Sequence, residues 1–90
     1  MPETREVVYV ATDVDAGAFP GEKLVTIETD EGAISGFAKD DSIITENNKK
    51  YLKAEFRGIS QSSMTVLLFG SFFTTTGLAS IPKDRVLKGV

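Results

Sequence analysis

The run Met64, Thr65, Val66, Leu67, Leu68 and Phe69 constrains this chain more than any other stretch. It is too short for a buried helix, so it reads as a strand, and successive side chains of a strand point to opposite faces. Hydrophobes therefore lie on both sides. Such a strand is either central in its sheet or covered on its outer side by another layer or another subunit. With Val66 and Leu68 turned inward, the outward set is Thr65, Leu67 and Phe69.

The rest of the chain reads as short strands broken by turns. Residues 6–12 are β-branched and aromatic. Residues 13–22 hold two glycines, a proline and three acids and read as a long loop. Val25 and Ile27 alternate with Thr26 and Glu28, Asp30-Glu31-Gly32 is a turn signal, and residues 33–39 return from it, so residues 23–39 form a hairpin. Gly36 in mid-strand signals a bend or bulge. The cleanest alternation sets Leu52, Ala54 and Phe56 against Tyr51, Lys53, Glu55 and Arg57. Residues 58–63 are a connector. Beyond the apolar run, a Thr-rich crossing over residues 71–76 leads through Gly77 to a second strand. Pro82 ends that strand, since it cannot donate a ladder hydrogen bond, and Lys83, Asp84 and Arg85 form a 3₁₀ turn before Val86 and Leu87. The expected fold class is all-β, nearly free of helix, with Val25, Ile27, Leu52, Ala54, Phe56, Val66, Leu68 and Ile81 buried together. Five to seven short antiparallel strands close into one small barrel spanning residues 1–90.

Composition bounds the chemistry. The 90 residues contain neither cysteine nor histidine, which removes disulfides, thiolate metal sites and imidazole-dependent triads. Asp13, Asp15 and Gly17 have the spacing that opens a calcium loop, but the later ligands are absent at their offsets, so a solvated loop is expected and no metal or cofactor. The remaining carboxylates fall in turns, where Asp and Gly serve the backbone. No apolar run approaches the roughly 20 residues that cross a bilayer, and residues 1–6 lack a signal-peptide start. A soluble cytoplasmic protein without membrane contact is the expectation.

Charge divides unevenly along the chain. Residues 1–46 carry eleven acids against three bases, and residues 47–90 two acids against seven bases. In a barrel, strands from the two halves interleave, and the favoured reading folds this polarity into internal pairing; the other leaves one acidic and one basic face.

The segment from Gly77 to Val86 resembles the end of an SH3-type barrel, in which a glycine-opened strand runs into an aliphatic-proline pair, a 3₁₀ turn and a closing aliphatic residue. The resemblance implies the fold, with residues 13–22 standing where that fold has its first long loop. It does not carry over peptide binding, because the proline-rich-peptide binders use a tryptophan and this chain has none. The hairpin from Val25 through Gly32 to Gly36 is also similar in outline to the central strands of Sm-like, ring-forming barrels, and Phe56-Arg57-Gly58 loosely matches a motif of that family. That resemblance stands second.

With no nucleophile-base pair in sight, the expected function is a non-catalytic interaction module that binds a protein partner or self-associates. Its contact residues are Leu67, Phe69, Phe72 and Phe73. Phe72 and Phe73 are neighbours on one extended segment, so they face opposite ways, and either both serve the core through a bulge or one ring joins an exposed patch. Residues 13–22 could instead fold over this face with Phe19 as its cover. The alternative function is single-stranded nucleic-acid binding through Tyr51, Lys53 and Arg57, a basic and aromatic strip. An acidic pI near 4.8 and Glu55 within the strip oppose it, so nucleic acid is not expected as the main ligand.

Overall fold

The computed structural model describes residues 6–17, 19–72 and 77–88. Strands form wherever apolar residues alternate. The first are Val7–Ala11 (β1), Asp13–Ala16 (β2), Glu22–Thr29 (β3), Gly32–Lys39 (β4) and Ile43–Glu46 (β5). Lys49–Ile59 (β6), Ser63–Leu68 (β7), Ser71–Phe72 (β8), Leu78–Pro82 (β9) and Val86–Lys88 (β10) follow. Single 3₁₀ turns at Asp40–Ser42 and Lys83–Arg85 supply the helical backbone among the described residues. The second lies directly after Pro82, where the strand stops as expected.

The strands divide between two antiparallel sheets. One runs in the order β10, β1, β6, β7, β9, with β5 also paired to β6; the other runs β2, β3, β4, β8. The eleven-residue β6 is the spine of the larger sheet. On one edge it pairs with β1 (Val10 opposite Leu52), and on the other it meets first β5 (Ile43 opposite Leu52) and then β7 (Ala54 opposite Leu68). An irregularity between Phe56 and Gly58 places Arg57 in a bulge, which bends β6 and turns that side chain outward. The hairpin from β5 to β6 closes through Asn47 and Asn48, both with positive φ, 51° and 65°. Asparagine tolerates that backbone, and a two-residue hairpin whose strands twist correctly requires it at both positions.

The chain passes between the sheets at Thr12, at the first 3₁₀ turn and at Phe69-Gly70. Between them lies one core, in which Val8, Val10, Val25, Ile27, Leu52, Val66 and Ile81 are fully shielded. Seven of the eight expected core residues are buried, and Phe56 is half-buried against them. Asp30 ties the sheets together at one end. Its carboxylate accepts hydrogen bonds from the hydroxyls of buried Ser63 and of Ser80, the latter at 2.9 Å, and its backbone N–H donates to the Ser80 carbonyl at 2.9 Å.

Neither sheet closes, so the SH3-like barrel, and with it the Sm-like alternative, is not the fold of this chain. β10 and β9 end the larger sheet, and β2 and β8 end the smaller. The features that suggested closure are real: the turn at Gly77, the stop at Pro82, the 3₁₀ turn and Val86 all stand in place. They are local, however, and do not determine whether edge strands meet. Sheet-to-sheet contact at that edge is made by β3 and β9 through the Asp30 N–H, without a ladder. The ten strands among the described residues also exceed the five to seven expected, because corners cut long extended stretches into pieces.

The long loop shrinks as well. Asp13–Ala16 is strand β2, paired with Lys23 to Thr26, which leaves residues 17–21 as the connection. Phe19 at its tip is 70% exposed and covers nothing.

Candidate functional site

The outer face of the six-stranded sheet follows from its registers. Val8, Leu52, Ala54, Val66, Leu68, Ala79 and Ile81 point inward, so their strand neighbours point out. One row across four strands reads Val7, Glu55, Leu67, Leu78. The next reads Leu87, Tyr9, Lys53, and Phe69 joins it just past the end of β7, its N–H donating to the Lys53 carbonyl at 3.3 Å. The Lys53 ammonium stands 5.2 Å from the centre of the Phe69 ring, within range of a cation–π contact.

Leu78 is 51% exposed and Phe69 37% exposed, while Leu67, Val7 and Tyr9 are half-buried between neighbours on the same face. Together they make an apolar surface on a sheet whose other side is the core. Thr65, the third outward member of the run, is exposed. Leu78 had not been singled out from the sequence, although the signal was available: Ala79 and Ile81 are apolar on one parity, which leaves Leu78 and Ser80 on the other.

The remaining expected residues are placed differently. Phe72 is half-buried in β8 and packs against the core from the smaller sheet. Phe73 lies outside the described residues. Tyr51, Lys53 and Arg57 share the outer face of β6, as their alternation required. Glu55 stands between them, only 8% exposed, and its carboxylate receives the Arg57 guanidinium at 3.2 Å. Of the strip's two cations, one is thus held by a carboxylate and the other lies over an aromatic ring.

A second feature was not legible in the sequence. A cleft of about 660 Å³ opens where the corner at Thr12, the turn at Asn48 and the second 3₁₀ turn meet, with Tyr51 in its wall. Asp13, Glu28 and Asp84 oppose Lys49, Lys50 and Arg85 around it. Its lining thus carries three groups of each sign. Among the described residues no group of three or more carboxylates is placed to hold a metal ion.

The sheets differ in charge. Residues 13–41, which supply β2, β3, β4 and the first 3₁₀ turn, carry eight carboxylates and two lysines; residues 43–88, which supply most of the larger sheet, carry three carboxylates and seven cations. The polarity of the sequence is therefore segregated by sheet, contrary to the favoured expectation of internal pairing. The acidic strands β2, β3 and β4 are consecutive and share one sheet, and the halves meet where β1 and β5 pair with β6 and where β8 pairs with β4. No family model, curated protein or solved structure matches this chain.

Proposed function

We propose that this chain is a non-catalytic protein-interaction module whose contact surface is the outer face of the six-stranded sheet, centred on Leu67, Phe69 and Leu78. The observation that carries the reading is the exposure of Leu78 and Phe69 beside half-buried Leu67 on one face of a sheet whose opposite face already fills the core. Exposed apolar side chains grouped on a regular surface mark contact sites, whereas scattered ones do not. Burying two or three such side chains contributes on the order of 1.5–3 kcal/mol each before the cost of association is subtracted, which suits a modest interface.

Single-stranded nucleic acid is the second reading, through Tyr51, Lys53 and Arg57. Stacking platforms need cations directed at phosphates, and here Arg57 is engaged by Glu55 while Lys53 lies over Phe69. Protein contact takes precedence for that reason.

A photo-crosslinking amino acid in place of Phe69, introduced in the cells from which the chain comes, tests the reading. Crosslinks to protein are expected from this position and none from the same probe at exposed Asp41. Crosslinks to nucleic acid, or equal yields from both positions, would overturn it.

A further inference from the structure

We infer that the cleft at the Thr12 corner binds a small zwitterion, the two charged ends of a short unblocked peptide, with its ammonium on Asp13 and Glu28 and its carboxylate toward Lys49 and Arg85. The inference does not depend on the contact face proposed above.

The cleft lies where the chain leaves one sheet for the other, so its walls come from both. The wall from the four-stranded sheet carries Asp13 and Glu28 and no cation, whereas β6 and the second 3₁₀ turn supply three cations against the single carboxylate of Asp84. Its walls thus differ in sign. Asp13 stands opposite Thr26 in the β2–β3 ladder and Glu28 is the next residue of β3 on that face, which makes the two carboxylates diagonal neighbours, their β-carbons about 7 Å apart. One ammonium between them reaches both and relieves their repulsion.

Ion pairs form elsewhere, at Lys23–Asp40 and Arg57–Glu55, but among the described residues none of the six charged groups of the cleft lies within 4 Å of an opposite charge. Glu46 stands across the hairpin from Lys49, outside the cleft, and forms no ion pair with it. Lys50 is drawn aside, its ammonium donating to the Thr45 hydroxyl at 2.9 Å, which leaves Lys49 and Arg85 for an anion. The walls are fixed at their corner. The Thr12 hydroxyl lies 3.1 Å from the carbonyl oxygens of Asp13 and Thr26, and the Thr12 N–H donates to the Lys50 carbonyl at 3.1 Å.

Charge decides among ligands. An anion without a cationic group meets Asp13 and Glu28, a cation without an anionic group meets Lys49 and Arg85, and displacing water from either pair without a counter-charge is costly. A ligand of both signs satisfies both walls. A volume of about 660 Å³ accepts a short peptide, whose backbone lies along half-buried Tyr51 between its two charged ends.

Titration of the isotopically labelled chain with triglycine, followed through its backbone amide resonances, tests the site. Saturable shifts are expected at Thr12, Asn48 and Arg85, with a dissociation constant on the order of 1 mM that rises with added salt. N-acetyl-triglycine lacks the ammonium and triglycine amide lacks the carboxylate, and each should bind about fivefold more weakly, the scale of an exposed ion pair. Asp13→Asn/Glu28→Gln should bind triglycine no better than the unaltered chain binds the acetylated peptide, and acetylation should then cost nothing further. Lys49→Gln/Arg85→Gln should behave in the same way toward the amide. All the replaced side chains are exposed, so the fold should persist, and the amide spectrum shows whether it does. If Asp13→Asn/Glu28→Gln disturbs residues far from the cleft, Glu28→Gln alone replaces it, with the same direction of change.

Affinities of the three peptides within about twofold of one another would overturn the site. So would shifts that do not saturate, or an undiminished preference for the free ammonium once Asp13 and Glu28 are neutralised.

Discussion

Leu52→Ala should lower the stability of this protein by about 2–5 kcal/mol, the range for truncating a fully buried leucine. Leu52 is completely shielded and sits at the crossing of the larger sheet, opposite Val10 of β1 on one side and Ile43 of β5 on the other. Its removal leaves a void beneath three strands at once. The sheet cannot collapse into that void without breaking ladder hydrogen bonds, so little of the lost contact is recovered. A domain of this size has a stability of only several kcal/mol, so the variant should be largely unfolded or at its margin near room temperature. Urea denaturation followed by far-UV circular dichroism reads the loss; a midpoint shift equivalent to less than about 1 kcal/mol would mean that Leu52 is not a packing centre.

Gly36→Ala should cost about 1–3 kcal/mol, by overpacking and not by loss of a contact. A β-carbon built on Gly36 would lie 2.3 Å from the Ser71 carbonyl oxygen and 2.7 Å from the Phe72 α-carbon. Both are backbone atoms, which a rotamer change cannot move. β8 pairs with β4 only at Gly36 and Phe37, so the added methyl should push this two-residue strand off its sheet and draw Phe72 away from the core. Hydrogen exchange provides the specific readout: faster exchange at residues 71 and 72 with unchanged protection across the β3–β4 turn. Uniform loss across the molecule would contradict this local account.

Gly36 also shows where reading from sequence stops. A glycine in mid-strand indicates a bulge, a bend or a close approach, and nothing local distinguishes these. Here the cause is a strand 35 residues further along the chain pressing on it, while the bulge occurs at Arg57. Alternation in residues 25–28 and 51–57 was legible because a half-buried strand must write its two faces into the sequence. The same logic located the outward Leu67 and Phe69.

Closure of the sheets was not legible, since it depends on where edge strands end relative to one another. The corner at Thr12 is an example: β-branched residues on both sides read as strand followed by loop, yet the chain leaves one sheet and enters the other there. Asn47-Asn48 did carry a hairpin signal, two residues that accept positive φ between extended flanks. The cleft near Tyr51 had no sequence signature, because its walls come from three separate turns.

Among the described residues, Leu67, Phe69 and Leu78 lie together on the outer face of the six-stranded sheet, with Phe69 and Leu78 exposed. The stability of Phe69→Thr/Leu78→Thr, measured by urea denaturation at a concentration where the protein is monomeric, tests the claim that this face lies outside the core. Both substitutions keep a side chain suited to a strand and remove only the apolar surface. The predicted result is a loss below about 1 kcal/mol with the denaturant slope unchanged, as for substitutions at exposed sites. A loss of about 2 kcal/mol or more would contradict the claim, since it would place these side chains in the interior of the monomer.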